Sequence, residues 1–125
     1  MKLNFADERP LFLQIAEGIE DGILLGAYPE GAQVPSTTEI SVTYQINPAT
    51  ALKGVNRLVE EGVLVKRRGL GMFVETGAVQ KVKEKRKAAF SAQHVDKLTR
   101  EAKRLGLSLR ETVELIERSY QREQD

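Results

Sequence analysis

The sequence predicts a mainly α fold with one small β-hairpin (α+β), and three observations lead to this class. Apolar residues recur with helical spacing in several stretches that begin at a capping residue and end at a glycine. One short β-branched segment is followed by a glycine-bearing turn and a second strand-like segment, as in a hairpin. The 125 residues include no cysteine, so neither disulfides nor thiolate zinc sites stabilise the fold.

The first helix is predicted from Pro10 to Gly26, where the glycine ends it. Its apolar residues are spaced four apart and share one face: Leu11, Ile15, Ile19 and Ile23. Gly18 and Gly22 fall in the same arc, although a glycine inside a helix costs about 1 kcal/mol relative to alanine. Two interpretations are open: the glycines let another backbone come close, for example at Gly54, or they are merely tolerated.

A second, short helix is predicted from Thr37 to about Tyr44. Ser36 and Glu39 have the S-x-x-E spacing of a capping box, in which each side chain accepts a hydrogen bond from the backbone N–H of the other residue. Just before it, Gln33 and Val34 are a candidate short strand. Only two residues separate this helix from the next capping residue, so a tight turn is expected there.

The third helix is predicted over residues 48–61, and it is the element that the protein presents to a partner. Asn47 is a good N-cap, Pro48 suits the first turn, and Gly62 suits the left-handed position after a helix. The apolar arc contains Ala51, Val55 and Leu58, with Leu52 and Val59 at its edge. The opposite side presents Ala49, Thr50, Lys53 and Arg57. Two helices joined in this way form a helix-turn-helix.

A β-hairpin is predicted directly after the third helix. Its strands are residues 63–66 and 72–75, and the turn between them contains Arg67, Arg68 and two glycines. The tip of the hairpin is therefore basic. A helix-turn-helix followed by such a hairpin is a winged helix, so residues 1–76 are predicted to form a winged helix-turn-helix domain.

Residues 77–125 are predicted to form a C-terminal helical hairpin for dimerisation, with an effector-binding role left open. Its first part, residues 77–87, looks like a linker that merges into a polar helix. Gly106 separates the two helices, and Ser108 and Glu111 form a second capping box. The apolar stripes of the two helices are Val95, Leu98, Ala102 and Leu105, then Leu109, Val113, Ile116 and Tyr120. Two narrow stripes cannot form a self-sufficient core, so we expect the winged helix or the same hairpin of a second chain to bury them.

The charge of the chain is unevenly distributed, although its formal net charge is only +1. Residues 46–74 carry five Lys/Arg and two Asp/Glu, whereas residues 1–75 as a whole carry seven Lys/Arg and ten Asp/Glu. A basic strip on an acidic body favours a defined contact with nucleic acid. The sequence contains no nucleophile with a base, phosphate loop, metal-ligand cluster, signal peptide or membrane span. We therefore expect a cytoplasmic protein that is not an enzyme and uses no cofactor or metal.

From Pro10 to Val74 the sequence resembles the DNA-binding domain of the GntR family of bacterial transcription regulators. The motifs that carry the resemblance occur in order: Pro10-Leu11-Phe12 with Gln14-Ile15, Pro29-x-Gly31, Val34-Pro35-Ser36 with Glu39-Ile40, Thr50, Leu58-x-Glu60-x-Gly62 and Arg67-Arg68-Gly69-x-Gly71-x-Phe73-Val74. The Asn47-Pro48-x-Thr50 start of the third helix and the short helical tail resemble the YtrA branch. The resemblance implies a homodimeric regulator, often a repressor.

The resemblance also implies where DNA would be contacted. The residues are Ser36, Thr37 and Thr38 at the second helix, Asn47, Pro48, Ala49, Thr50 and Lys53 at the third, and Arg67, Arg68, Gly69 and Gly71 in the wing. By charge, Lys53 and Arg57 are expected to neutralise phosphates, the alternative being a merely solvated face. There are departures from the family pattern: Thr38 stands where many relatives have arginine, and Leu70 and Met72 replace polar residues of the wing.

Together these observations predict a sequence-specific DNA-binding transcription regulator that acts as a homodimeric repressor on a palindromic operator in double-stranded DNA. The alternative is a winged helix that binds another protein, with the helical tail as its dimerisation element. The tail of about 50 residues is too short for the effector domain of larger family members, so no deep metabolite pocket is expected. If an unidentified small-molecule effector exists, we expect it in a shallow site between the tail and the winged helix.

Overall fold

The computed structural model describes residues 1–124. The elements are α1 Leu11–Leu24, α2 Thr37–Tyr44, α3 Pro48–Glu60, β1 Leu64–Arg67, β2 Gly71–Val74, α4 Ala78–Phe90, a π-helical turn Ser91–Val95, α5 Asp96–Arg104 and α6 Leu109–Glu123. The chain divides into two compact units, the first ending at Glu84 and the second beginning at Lys85. The predicted class is confirmed, since the described residues form a winged helix-turn-helix with a two-stranded antiparallel hairpin, followed by C-terminal helices.

The core of the first unit is built around α1 and α3. Ile15, Ile19 and Ile23 of α1 are buried, as the four-residue spacing predicts, and α1 packs on α3. The other buried apolar residues of this core are Ala16, Val34, Ile40, Ala51, Val55, Leu58, Val63, Leu64, Val74, Ala78 and Val82. Leu52, which was placed at the edge of the apolar arc, is 45% exposed and belongs to the outer surface of α3.

The close approach of α1 and α3 depends on Gly54. A Cβ atom at this position would lie 2.8 Å from the carbonyl oxygen of Phe12 and 3.0 Å from the side chain of Ile15. Gly18 and Gly22 face side chains from the N-terminal segment and from the turn after α1 instead. The interpretation in which these two glycines meet Gly54 is therefore wrong, because the helix–helix contact needs only the one small residue on α3.

Side-chain caps fix both helices of the helix-turn-helix, as predicted. Ser36 Oγ accepts a hydrogen bond from the Glu39 N–H at 3.0 Å, and Glu39 Oε1 accepts one from the Ser36 N–H at 3.3 Å, which completes the capping box of α2. α2 ends at Gln45, whose φ of 53° redirects the chain toward α3. Asn47 Oδ1 then accepts the N–H two residues further on at 2.8 Å and caps α3. These caps satisfy backbone donors that would otherwise be unpaired at the helix ends.

The predicted hairpin is confirmed, with each strand displaced by one residue from its predicted range. β1 and β2 pair antiparallel, with Arg67 opposite Gly71, and Gly69 has a φ of 77° in the turn between them. The candidate strand before α2 is reduced to a single bridge, in which Gln33 pairs with Phe73 of β2. The wing is therefore braced along one side by the segment that precedes α2.

The first unit continues past the wing into α4. Residues 77–87, predicted to be a linker that becomes helical, already form regular helix from Ala78 onward. Ala78 and Val82 are fully buried in the core of the first unit. The sequence placed the boundary between domains after residue 76, whereas the first compact unit extends to Glu84 because α4 supplies these two core residues.

Polar contacts also attach α4 to the first unit. The carboxylate of Glu30 accepts hydrogen bonds from the N–H of Gly77 at 2.9 Å and of Val79 at 3.2 Å, and thus caps the start of the helix. Lys81 Nζ donates to the carbonyl oxygen of Gly62 at 3.3 Å, just after α3 ends. The start of α4 is therefore tied both to the turn after α1 and to the end of α3.

The second unit comprises the end of α4, the π-helical turn, α5 and α6. The rings of Phe90 and His94 lie 5.6 Å apart at the π-helical turn. Gly106, with a φ of 75°, separates α5 from α6, and the predicted capping box is formed, with Ser108 Oγ accepting the Glu111 N–H at 3.1 Å. Within residues 1–124, none of the helices combines the length and the apolar character that crossing a membrane requires.

Candidate nucleic-acid interface

The outer surface of α3 is exposed and carries most of the polar residues of this helix. It borders a shallow concavity of about 410 Å³, lined by Phe12 of α1 and by Ala49, Leu52, Lys53, Asn56, Arg57 and Glu60 of α3. Two of these side chains are cationic, one is a carboxamide, and one, that of Glu60 in the last turn of α3, is a carboxylate. A surface of this composition can neutralise phosphates and hydrogen-bond to base edges.

The two cations of α3 are held in different ways. Lys53 Nζ lies over the ring of Phe12, 4.1 Å from its centroid, in a cation–π contact. Such contacts are worth ~0.5–1 kcal/mol at exposed sites, which is enough to bias the position of a flexible side chain. Arg57 Nε lies 3.8 Å from a carboxylate oxygen of Glu61, one turn further along, so its exposed guanidinium is only loosely tethered.

The helix caps leave hydrogen-bond donors for a ligand at the starts of α2 and α3. Asn47 uses its side-chain oxygen for capping, so its two N–H donors are the groups left for a partner. Ser36 likewise accepts with its hydroxyl oxygen and keeps a hydroxyl proton to donate. Both helix starts also bear a partial positive charge from the helix dipole, which favours nearby phosphate.

The wing is cationic from its strands to its tip. Lys66, Arg67 and Arg68 are exposed, and no acidic residue lies between Glu61 and Glu75 in the sequence. The guanidinium carbon of Arg67 lies 4.6 Å from the centroid of the Phe73 ring. This hairpin can therefore approach a polyanion without repulsion from its own residues.

The residues implied as DNA contacts all lie in the first unit. Those that are exposed are Thr38, Asn47, Pro48, Ala49, Lys53, Arg57, Arg67, Arg68 and Gly69, and those that are half-buried are Ser36, Thr37, Thr50 and Gly71. They are supplied by the start of α2, the outer surface of α3 and the wing. No group of three or more His, Asp or Glu side chains suited to holding a metal occurs among residues 1–124.

Three residues of this surface were missed by sequence reasoning. Leu52 and Asn56 lie on the outer surface of α3 beside Lys53. Asn56 is three residues from Lys53 and seven from Ala49, so helical spacing could have found it. Phe12 could not have been found in this way, because only the packing of α1 on α3 brings its ring to Lys53.

The second unit presents a separate, apolar surface. Seven of the eight residues predicted for dimerisation are exposed, and Ala102 is buried. A concavity of about 590 Å³ is lined by five of the eight, Leu98, Ala102, Leu105, Ile116 and Tyr120, together with Leu115, which lies outside the two predicted stripes. Val95, Leu109 and Val113 do not line it. Parts of both stripes thus share one concave surface within this unit.

Comparison with known families identifies the first unit. A family model described as bacterial regulatory proteins of the gntR family matches residues 11–74. The chain belongs to the GntR family. The match covers the segment in which α1, the helix-turn-helix and the wing were described above.

Individual relatives of this GntR protein agree with the assignment. An uncharacterized HTH-type transcriptional regulator, YurK of Bacillus subtilis, is 35% identical over 74 residues, which cover 59% of this chain and 31% of YurK. The chain thus spans about a third of the length of that curated relative.

Solved structures of similar length share the whole fold. A putative transcriptional regulator of the GntR family from Bacteroides thetaiotaomicron is 34% identical, with a TM-score of 0.78 over 90% of this chain and 97% of that one. YtrA from Sulfolobus acidocaldarius, a GntR-family transcription factor, has the same fold with a TM-score of 0.58 over 100% of both chains at 22% identity. Chains of similar length and similar fold therefore occur in this family, as the resemblance to the YtrA branch implied.

Proposed function

We propose that this protein is a sequence-specific DNA-binding transcription regulator that acts as a homodimeric repressor on a palindromic operator. One observation carries the proposal: the capped helix α3 has an exposed, polar outer surface, and the same compact unit carries a wing with no acidic residue. Membership of the GntR family supports the regulatory role.

In this proposal α3 enters the major groove, which admits an α-helix and in which each base pair has a distinct pattern of donors and acceptors. Asn47 and Thr50 at the start of α3 hydrogen-bond to bases or phosphates. Pro48 and Ala49 offer only apolar contact, which suits a thymine methyl group. The missed Asn56 is a further candidate, since a carboxamide can pair with adenine through two hydrogen bonds.

The cations set the strength of binding more than its sequence preference. Lys53, Arg57, Arg67 and Arg68 neutralise phosphates, and each phosphate contact releases counterions from DNA. The hydroxyl groups of Ser36, Thr37 and Thr38 at the start of α2 add neutral hydrogen bonds to the backbone. Binding is therefore expected to weaken steeply as the salt concentration rises.

The exposed apolar surface of the second unit supports dimerisation through α5 and α6. Leu105, Leu109 and Tyr120 each expose more than two thirds of their surface, and burying such side chains contributes about 25 cal/mol per Å² of apolar area. A two-fold symmetric pair would bury both copies of this surface at once. The two copies of α3, which are the recognition helices of this proposal, would then read half-sites about 10 bp apart, or a multiple of that distance.

Repression is the simplest outcome for such a dimer. A protein that holds two half-sites on one face of a promoter needs no further activity to exclude the polymerase.

The experiment that tests the oligomeric state is sedimentation of the full chain, compared with its Ile116→Glu variant, which places a charge in the concave surface. Leu25→Glu, at an exposed leucine of the first unit, is the matched control. We expect a dimer for wild type and control and a monomer for Ile116→Glu, whereas a monomeric wild type at micromolar concentration would refute the dimer.

The experiment that tests DNA binding is in vitro selection of duplexes from a random library, followed by titration at two salt concentrations. Lys53→Glu and Arg68→Glu should abolish specific binding, and Arg110→Glu on α6 is the control with the same change of charge. If Lys53→Glu and Arg68→Glu both keep wild-type affinity, the proposal is wrong and a protein-binding winged helix is favoured.

A further inference from the structure

A single apolar side chain occupies the tip of the cationic wing. Leu70 is 65% exposed and directly follows Arg67, Arg68 and Gly69. A hairpin that served only to neutralise phosphate would gain nothing from a leucine at this point, where any polar residue would be better solvated. An isolated exposed leucine is common on protein surfaces, so the surroundings of Leu70 decide what it can do.

The tip is ordered by a contact from outside the hairpin. Within the turn, the N–H of Leu70 donates to the carbonyl oxygen of Arg67 at 2.9 Å. Gln33 Nε2, from the segment before α2, donates to the carbonyl oxygen of Leu70 at 2.8 Å. Gly71 makes room for this amide, because a Cβ atom there would lie 2.6 Å from Gln33 Nε2. Both backbone polar groups of Leu70 are thus satisfied, and its side chain projects from a fixed turn.

The neighbouring arginine is held beside the tip. The contact of the Arg67 guanidinium with the Phe73 ring, at 4.6 Å, keeps this cation along the face of the hairpin. Arg68 and Lys66 are exposed on the same hairpin. An apolar tip flanked by cations matches a DNA groove, which has an apolar floor of sugars and bases between two rows of phosphates.

We propose that Leu70 enters the minor groove of the bound operator as an apolar wedge and makes the protein prefer A·T to G·C at that position. The proposal rests on the function proposed above. DNA-binding proteins insert leucine and other apolar side chains into the minor groove, where they partly unstack a base step. Guanine places its 2-amino group in this groove and adenine does not. A leucine offers no acceptor to that group and would desolvate it, so the preference arises without a hydrogen bond to any base.

The test uses the full chain and the operator obtained by selection. Leu70→Ser is compared with Leu70→Met, which keeps an apolar side chain, and with Arg68→Gln, which removes one charge. We expect Leu70→Ser to weaken binding roughly ten-fold without changing the slope of log Kd against log salt. Leu70→Met should bind within about three-fold of wild type, and Arg68→Gln should reduce the slope by about 0.9. Since the Leu70 side chain is exposed, the thermal midpoint of all three should match wild type.

Base substitution in the operator locates the contact in the minor groove. One A·T pair at a time is replaced by G·C and then by inosine·cytosine, which has the major-groove pattern of G·C but lacks the 2-amino group. At the base pair contacted by the wing, G·C should weaken wild-type binding several-fold, and inosine·cytosine should restore it. The affinity of Leu70→Ser should be the same for all three base pairs.

Three results would overturn the proposal. Wild-type affinity of Leu70→Ser would exclude the wedge and leave the tip to a protein partner. Loss of binding on G·C without rescue by inosine·cytosine at every position would assign the readout to the major groove. If the wild-type chain selects no duplex, the proposed function is wrong as well. If it selects a duplex but Leu70→Ser binds it equally well, only the proposal for Leu70 is wrong.

Discussion

The replacement of Gly54 by alanine tests whether the contact between α1 and α3 positions the recognition helix. A Cβ atom at Gly54 would lie 2.8 Å from the carbonyl oxygen of Phe12, where ordinary van der Waals contact begins at 3.4 Å. The obstacle is backbone, so the helices must separate by roughly 0.6 Å at this point. Overpacking of this kind costs ~1–3 kcal/mol. Alanine gains about 1 kcal/mol over glycine in a helix interior, so the net effect should be a loss of about 1 kcal/mol.

Gly18→Ala is the matched control for this prediction. Gly18 also lies inside a helix, but its added Cβ would meet only the side chain of Met1, with the nearest atom at 2.5 Å. That side chain is flexible and can move aside. Gly18→Ala should therefore gain up to about 1 kcal/mol from helix propensity, so the two alanine variants should differ by about 2 kcal/mol.

Urea unfolding followed by far-UV circular dichroism measures this difference, because the midpoint reports stability when the slope is unchanged. Gly54→Ala should unfold at a lower urea concentration than wild type, and Gly18→Ala at an equal or higher one. If Gly54→Ala is as stable as Gly18→Ala, the two helices can separate freely and the close approach does not position α3.

Three further predictions concern the caps and the cation–π contact. Glu30→Ala removes the carboxylate that caps α4 and should destabilise the first unit by about 1 kcal/mol, measured by thermal unfolding. Phe12→Leu removes the ring beneath Lys53 and should weaken DNA binding about two- to five-fold, an effect absent in the Lys53→Gln background. Hydrogen bonding with Ser108, chiefly the bond from its backbone N–H and then that with its side chain, holds the pKa of the exposed Glu111 carboxyl below its usual value. A lowered carboxyl pKa stabilises the fold above the unfolded pKa of about 4.3, and this contribution is lost as pH falls through the folded pKa. The helicity of Glu111→Gln should therefore fall less than that of wild type between pH 5 and pH 3.

Local sequence signals predicted the helix-turn-helix and the wing well. Ser36 with Glu39 and Asn47 with Pro48 act over two or three residues, so their chemistry can be read without knowing the tertiary structure. The same holds for the capping box at Ser108. The apolar side of α3 could be predicted from the spacing of its apolar residues, because residues three or four apart in a helix lie on the same face.

Features that depend on contacts distant in sequence could not be predicted. Ala78 and Val82 lie in a stretch rich in lysine, which looks solvent-exposed, and only the tertiary structure shows that both are buried in the core of the first unit. Gln33 precedes α2 and orders the wing 37 residues away.

The recognition helix is fixed to the first unit along its whole length. Ala51, Val55 and Leu58 are buried in its core, Gly54 packs against α1, and the carbonyl of Gly62, just after the end of α3, accepts a hydrogen bond from Lys81 of α4. A helix that is buried along one side in this way cannot change its tilt without disturbing the close-packed core around it. In the proposed homodimer, the second unit would therefore change DNA affinity by changing dimerisation or the spacing of the two copies of α3, and not by reshaping α3. Operators with half-site spacing altered by 1 bp should then lose binding sharply, whereas a flexibly attached α3 would tolerate them.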